Sequence, residues 1–272
     1  MSDIEPSNAR IAESLLAFWA DGGVDAMLVD APLDRIAAGS IVPPLRVMAA
    51  PAASRASARP PGPDIANASA QAQALAAQAH DLEALCAVIA DFDGCPLRSA
   101  GAATQAVVWR GDPTAPLLVI GEAPGAEEDA QGKPFVGRAG KLLDRMLAAA
   151  GLTDRVMITN TVFWRPPSNR TPTPAEQASC APLLERLIEL VQPQVLLLVG
   201  AASAKALLKQ EQGILALRGR WFDWRSADGA REIPALPTLH PAFLLRQPAA
   251  KKHAWSDMLT LTDKLDRAAA PF

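Results

Sequence analysis

Three features are scarce in this chain of 272 residues, and each scarcity excludes a class of protein. The longest apolar run, around Val195 to Val199, is far too short to span a bilayer. The three cysteines, Cys86, Cys95 and Cys180, lack the spacing of a small disulfide-stapled domain. The first residues, MSDIEPSNAR, contain acids and no apolar core, so no secretory signal is expected. We therefore expect a cytoplasmic protein with no membrane segment.

An excess of positive charge is also missing, because the formal net charge is −3. The total charge therefore does not indicate a nucleic-acid-binding protein. Two short segments, residues 163–174 and 240–253, nevertheless contain basic residues and no acid. Each is either a solvated loop or a contact for phosphate groups. Their basic residues are Arg165 and Arg170 in the first segment, and Arg246, Lys251 and Lys252 in the second.

Composition divides the chain into three parts. Residues 1–48 are predicted to form an N-terminal helical extension, with apolar residues at helical spacing over 9–20. Residues 49–65 are rich in alanine and proline and have the composition of a linker. Residues 66–272 form the main domain, which begins with an alanine-rich helix over 66–90. The extension either binds a protein partner or packs on the main domain, and its composition does not decide between them.

From residue 107 onward, short β-rich apolar runs alternate with helical patterns. One helix is predicted over 139–150, where Gly151 ends it, and another begins with a capping box at Thr173 and Pro174. This alternation predicts an α/β fold in which helices cover both faces of a mostly parallel sheet. The four predicted strands are residues 117–120, 156–160, 195–199 and 235–239.

Polar residues or glycines follow every one of these strands. Because the carboxyl ends of parallel strands meet at one edge of a sheet, we expect these residues to line one crevice. The crevice would also receive Phe135 from the loop after the first strand. The third strand ends at a helix start whose backbone suits a phosphate group. The residues delivered by the four strands are Gly121, Glu122 and Ala123; Asn160; Gly200 and Ser203; and His240.

These residue types suit hydrolysis of an N-glycosidic bond. The Asn160 amide can read the edge of a flat heterocycle on which Phe135 stacks. His240, one of only three histidines, can donate a hydrogen bond to the departing base, while Glu122 orients water or balances a cationic sugar. Each residue also has an ordinary alternative role: Asn160 as a turn residue, Phe135 as core, His240 as a helix cap. Glu122 could equally be tied to backbone N–H groups.

The segment after His240 supports a nucleic-acid substrate. Chemistry on a base within DNA requires the nucleotide to be rotated out of the stack. His240 and Pro241 are followed by Ala-Phe and then by Leu244, Leu245 and Arg246. A rigid loop that ends in bulky apolar residues and an arginine is suited to wedging into a base stack. We therefore predict DNA contacts by these three residues.

Four ordered motifs give the chain a likeness to a known family. GEAPGAEED, GKPFVGRAGKLLDRML, ITNTVFWRPPSNRTPTPAE and HPAFLLRQP resemble, in order and spacing, the family 4 uracil-DNA glycosylases. The resemblance covers about residues 84–267 and implies a three-layer α/β/α fold with a four-stranded parallel sheet. It also implies a monomeric enzyme that removes uracil from DNA and leaves an abasic site. By position, it assigns the catalytic-loop acid to Glu122, uracil stacking to Phe135, uracil reading to Asn160 and a uracil carbonyl contact to His240. Gly121 and Ala123 would line the same pocket, and Arg170 would contact DNA.

The cysteines depart from the family pattern. Family 4 enzymes usually bind a [4Fe–4S] cluster through four cysteines, a number such clusters generally need. Cys95 and Cys180 match the second and fourth, whereas Phe92 and Trp164 occupy the first and third positions. Even with Cys86 as a substitute ligand, a fourth would be missing. We therefore expect no cluster and no other cofactor.

Two alternatives remain open at this point. The same fold could act on other deaminated or mismatched bases, or the protein could be a DNA-binding repair module without catalytic activity. The complete set of Glu122, Asn160 and His240 argues against the second. Covalent trapping of DNA, known in a related group, needs a histidine-bearing insert, and residues 129–138 contain no histidine.

Overall fold

The computed structural model describes residues 65–269. The predicted extension over residues 1–48 lies outside this range, as does the predicted linker except for Ile65. The alanine-rich segment forms two helices rather than one, α1 (Ile65–Gln78) and α2 (Leu82–Asp91). The single helix was wrong because Asp81 is extended and caps α2, accepting a hydrogen bond from the backbone N–H of Ala84 at 2.8 Å.

The centre of the domain is a six-stranded sheet in the order β1-β3-β2-β4-β6-β5. Its four inner strands are parallel, which confirms the predicted core of the fold. Two short antiparallel strands, absent from the sequence prediction, flank them at the edges. The inner strands are β2 (Leu117–Gly121), β3 (Val156–Asn160), β4 (Val195–Val199) and β6 (Glu232–Thr238), and the edge strands are β1 (Trp109–Gly111) and β5 (Phe222–Arg225).

Helices cover both faces of this sheet. The predicted helix over 139–150 is α5 (Arg138–Ala149), and Gly151 follows it with a positive φ of 69°. The predicted capping box begins α6 (Pro174–Val191): the Thr173 hydroxyl accepts from the N–H of Glu176, whose carboxylate accepts from the N–H of Thr173. The helices that follow α2 in the chain form the two outer layers and the loops at the sheet edge. They are α3 (Pro96–Ser99), α4 (Ala126–Gln131), α5 (Arg138–Ala149), α6 (Pro174–Val191), α7 (Ala201–Leu208), α8 (Ile214–Leu217), α9 (Pro241–Arg246) and α10 (Lys251–Ala269).

Alternate residues of the inner strands enter opposite halves of the core. Leu118 and Ile120 of β2 belong to the cluster that includes Leu183 and Leu187 of α6. Their neighbours Leu117 and Val119 belong to the cluster with Leu143 and Leu147 of α5 and Met258 and Leu261 of α10. Because side chains of a strand alternate between its two faces, this division confirms the three-layer α/β/α arrangement. No helix among the described residues is long and apolar enough to cross a membrane.

Candidate active site

The carboxyl ends of β2 and β3 place Gly121 beside Asn160, and the two residues are partners in the sheet register. A Cβ atom added to Gly121 would lie 2.4 Å from the Phe135 ring and 2.5 Å from the Asn160 Oδ1. The ring of Phe135 in turn lies 5.8 Å from the ring of His240, measured between centroids. Phe135 and Asn160 therefore meet around Gly121, a position that only glycine is small enough to occupy, and His240 lies next to the Phe135 ring.

The side chain of Asn160 has no hydrogen-bond partner although it is 1% exposed. Its Nδ2 and Oδ1 are the only fully buried side-chain nitrogen or oxygen atoms in residues 65–269 without a partner. Leaving such a group unpaired costs about 1–3 kcal/mol, and native proteins usually avoid it. An amide held unpaired beside an aromatic ring is therefore available to a ligand that carries its own donor and acceptor.

Phe135 has a strained backbone, with φ of +54°. Residues other than glycine rarely occupy this left-handed region, and such strain concentrates at functional sites. The turn also requires Gly140, because a Cβ atom there would lie 1.8 Å from the Phe135 carbonyl oxygen. The ring is buried, with 6% exposure, between the sheet edge and His240.

Two charged side chains hold the backbone of this turn, one through its carbonyl groups and the other through its N–H groups. Arg110 donates from Nε to the carbonyl of Pro134 at 2.7 Å and from Nη2 to the carbonyl of Phe135 at 3.1 Å. The Glu128 carboxylate accepts from the N–H groups of Val136 at 3.0 Å and Gly137 at 2.8 Å. We name these contacts, made by Arg110 and Glu128 to the backbone of residues 134–137, the stacking-loop clamp.

The acids of the GEAPGAEED motif differ in environment. Glu127 is exposed, and Glu128 also accepts from the N–H of Gly125 at 3.1 Å. Asp129 lies in the first turn of α4 and is buried, with 3% exposure. Its carboxylate accepts from the N–H and the hydroxyl of Thr104, both at 2.8 Å. The motif therefore fixes the loop structurally.

His240 has the alternative role of a helix cap, and its second ring nitrogen stays available for the predicted hydrogen bond. It caps α9, since its Nδ1 accepts from the backbone N–H of Ala242 at 3.1 Å. The proton of the neutral ring is therefore on Nε2, which remains a donor. Burial, and to a smaller extent the charge of Arg246, lower the pKa of His240 to about 4, although the charge of Glu128 acts in the opposite direction. The ring is thus a neutral hydrogen-bond donor at physiological pH.

Glu122 and Ala123 lie partly exposed at the mouth of the pocket. The hydroxyl of Thr161 donates to the backbone carbonyl of Glu122 at 2.7 Å, and its N–H donates to the carbonyl of Gly121 at 3.0 Å. These bonds fix the backbone, while no group within residues 65–269 hydrogen-bonds the Glu122 carboxylate. The carboxylate is therefore free to contact water or a sugar, and its catalytic role stays a prediction.

At the start of α7, the two residues predicted to bind phosphate already have hydrogen-bond partners within the protein. The Gly200 N–H donates to the carbonyl of Thr238 at 2.9 Å, and the buried Ser203 hydroxyl donates to the carbonyl of Gly200 at 3.2 Å. Neither group can therefore bind a phosphate in this conformation. The backbone N–H groups of Ala201 and Ala202, in the first turn of the helix, are the better candidates.

The predicted wedge is shorter than expected. Leu244 is fully buried and packs with Leu142, Leu239 and Ala254, so it is a core residue rather than a DNA contact. Leu245 has 37% exposure and Arg246 is exposed. Of the three residues predicted to contact DNA here, only Leu245 and Arg246 are therefore exposed.

Arg170 is involved in a structural contact. Its guanidinium forms two hydrogen bonds with the Glu176 carboxylate, at 2.8 and 2.6 Å, and these hold the pKa of Glu176 below its usual value. The arginine side chain is 43% exposed, so one edge still faces solvent. Its contact with DNA stays a prediction, and it would have to share the guanidinium with the start of α6.

The four positions that correspond to cluster ligands lie in one buried apolar cluster. The thiol of Cys180 donates to the sulfur of Cys95 at 3.5 Å, and this bond lowers the pKa of Cys95 to about 7. Phe92 and Trp164 are buried with ring centroids 6.3 Å apart. Two thiols and two aromatic rings do not fit a [4Fe–4S] cluster, which generally needs four thiolates. Residues 65–269 contain no group of three or more His, Cys, Asp or Glu side chains arranged for a metal ion.

The fold and the site together define an α/β protein with a buried, unpartnered amide and an aromatic ring at one edge of its sheet. The chain belongs to the uracil-DNA glycosylase superfamily, whose sequence model matches residues 108–259. It is similar to proteins named type-4 uracil-DNA glycosylase from three organisms. The Sulfurisphaera tokodaii protein is 40% identical over 155 residues, 55% of this chain and 70% of that protein. The Thermotoga maritima protein is 41% identical over 145 residues (53% and 73%), and the Pyrobaculum aerophilum protein is 36% identical over 183 residues (65% and 91%).

Proposed function

We propose that this protein removes uracil from DNA by hydrolysing the N-glycosidic bond, which leaves an abasic site. The observation that carries the proposal is the buried, unpartnered amide of Asn160 beside the Phe135 ring. Membership of the superfamily and the type-4 relatives support the same activity. The proposal also includes a monomeric protein, a cytoplasmic location and a protein partner for residues 1–48. Each of these three parts has its own test.

The reaction begins when the uracil nucleotide is rotated out of the duplex or single strand into the pocket. The base stacks on Phe135, and the Asn160 Oδ1 accepts from uracil N3–H while Nδ2 donates to O4. The amide that is unpaired in the empty site thereby gains both partners. Because the ring of Phe135 is held before the base arrives, little ordering is left for the binding step.

Bond cleavage places negative charge on the departing base. The electron pair of the C1′–N1 bond goes to uracil, and His240 donates a hydrogen bond from Nε2 to the O2 carbonyl, where that charge develops. The sugar becomes cationic, and Glu122 stabilises it or orients the water whose hydroxyl joins C1′. The remaining proton of that water passes to solvent or to the released base.

Asn160→Leu tests this proposal, since leucine has a similar branched shape but no polar atoms. Losing both base contacts should lower kcat/KM for uracil release at least about 100-fold, which corresponds to about 2.7 kcal/mol. The Tm should equal or exceed that of the wild type, because an unpaired buried amide is removed. Gln212→Leu, which removes an exposed amide after α7, is the control.

The measurement is alkaline cleavage of labelled oligonucleotides that contain uracil in single strands or opposite guanine. Parallel substrates with hypoxanthine, xanthine or a G·T pair test the alternative bases. No release from any substrate by the wild type, with tight binding to uracil-DNA, would instead indicate the non-catalytic module. Unchanged uracil release by Asn160→Leu would refute the assigned role of the amide.

A further inference from the structure

Half of the fourteen arginines in the described part of the chain form ion pairs. Each of these seven arginines contacts a carboxylate within 3 Å, so its positive charge is neutralised locally. The pairs are Arg110–Asp144, Arg155–Asp266, Arg170–Glu176, Arg186–Glu189, Arg218–Asp257, Arg225–Glu232 and Arg267–Asp263.

Two segments beside the pocket differ from this pattern. Residues 133–145 contain four basic side chains and residues 246–252 contain three more, all exposed. None of them forms an ion pair with a carboxylate within residues 65–269. The unpaired side chains are Lys133, Arg138, Lys141 and Arg145 in the first segment, and Arg246, Lys251 and Lys252 in the second.

The first segment presents a basic stripe along α5. Arg138, Lys141 and Arg145 are three and then four residues apart, so they share the solvent face opposite the buried leucines of this helix. The only acid in the segment is Asp144, and its charge is neutralised by Arg110 at 2.6 Å. Arg138 begins the helix three residues after Phe135, so the stripe starts at the mouth of the pocket.

The two segments adjoin. Helix α9 packs on α5, and Leu244 shares a buried cluster with Leu142 of α5 and Ala254 of α10. Leu245, the exposed part of the predicted wedge, directly follows Leu244 and so belongs to the helix that packs against α5 and the start of α10. We name this area, formed by the seven unpaired basic residues, the α5–α10 basic surface.

We propose that the α5–α10 basic surface binds the phosphate backbone of DNA on the α5 side of the pocket. This inference rests on the proposed function for its placement beside a base-binding pocket, but the residues of the α5 stripe have no part in the chemistry. An acidic peptide would match the charge as well, yet it would not explain the pocket and the exposed apolar side chain that the surface adjoins. Phosphates account for all three features.

Binding of phosphates releases counterions, so each contact contributes about 0.7 to single strands or 0.9 to duplexes in the slope of log K against log salt. Lys141→Gln/Arg145→Gln should therefore lower the slope by about 1.4–1.8 and weaken binding at least about 10-fold at low salt. The matched control is Lys209→Gln/Arg231→Gln, which also removes one unpaired lysine and one unpaired arginine, from the end of α7 and from the β5–β6 connection.

The experiment measures fluorescence anisotropy of labelled undamaged duplex and single-stranded DNA over a range of salt concentrations, on full-length protein checked by circular dichroism. A lower slope in the α5 variant and a wild-type slope in the control would support the surface. Equal slopes in the two variants would overturn it. Uracil release under saturating single-turnover conditions should stay within about twofold of wild type in the control variant, Lys209→Gln/Arg231→Gln. A wild-type protein that releases no uracil would refute the proposed function, while the slopes would still decide the surface.

Discussion

The stacking-loop clamp can be tested with a pair of adjacent glutamates. Glu128→Gln keeps the size of the side chain but removes the charge that three backbone N–H groups share. Glutamine can still accept through one oxygen from Val136 and Gly137, but its NH2 group then faces the N–H of Gly125. Glu127→Gln makes the same charge change one residue away, on an exposed side chain with no hydrogen bond within the described residues.

The magnitude follows from these bonds. A hydrogen bond to a charged group contributes about 1.5–3 kcal/mol, and the partial exposure of Glu128 reduces that value. Weakening two such bonds and replacing the third by a donor–donor contact should cost about 2 kcal/mol in total. If this energy holds Phe135 in its strained conformation, the fraction of molecules with a formed pocket falls, and kcat/KM drops up to about 30-fold.

Single-turnover uracil release measures this loss, and a double-mutant cycle with Phe135→Leu assigns it. If Glu128 acts through the Phe135 ring, the double variant should be little worse than Phe135→Leu alone. Altered titration of His240 cannot account for the effect, since losing the Glu128 charge lowers a pKa that is already about 4. Activities of Glu128→Gln and Glu127→Gln within twofold of each other would refute the reasoning.

Two further predictions concern His240 and the cysteines. The pKa of His240 falls from 6.5 in the unfolded chain to about 4 in the folded protein. The free energy of unfolding should therefore be highest above pH 6.5 and should decline as the pH falls toward 4, by at most about 3 kcal/mol from this histidine. The difference in the free energy of unfolding between wild type and His240→Gln, measured with denaturant across this pH range, should show this decline. If kcat of the wild type fell below pH 6.5 and this fall disappeared in His240→Gln, the histidine would not be a neutral donor. Anaerobically purified protein should contain no stoichiometric iron and no visible absorbance, and finding both would disprove the expected absence of a cluster at Cys95 and Cys180.

The sequence predicted the centre of the sheet because four runs are buried on both faces and are apolar throughout. The same reasoning assigned Asn160 and His240 to one edge of the sheet, since Asn160 ends one parallel strand and His240 comes two residues after the end of another. Strands β1 and β5 escaped prediction because they are short, half-exposed edges with no apolar run. The division of the alanine-rich segment had a detectable signal, namely Asp81 as a helix cap.

The features that were not predicted from the sequence depend on contacts between residues that are far apart in the chain. Arg110 reaches the Phe135 carbonyl across 25 positions, and Asp129 reaches Thr104 across 25. No local periodicity encodes such bonds. Whether Leu244 or Leu245 faces solvent depends on how α9 is rotated about its axis. The cap at His240 fixes this rotation, and Leu244 then packs with Leu142.

The empty pocket contains two unfavourable features, and their combination argues for a site prepared for a ligand. The left-handed Phe135 and the unpaired Asn160 amide each cost about 1–3 kcal/mol. Neither is relieved within the described residues: the clamp enforces the first, and the tight packing around Gly121 encloses the second. Entry of a base with a donor and an acceptor on one edge relieves the Asn160 cost at the moment of binding. A base without that edge leaves the amide buried and unpaired, so the energy stored in the empty site becomes discrimination between ligands.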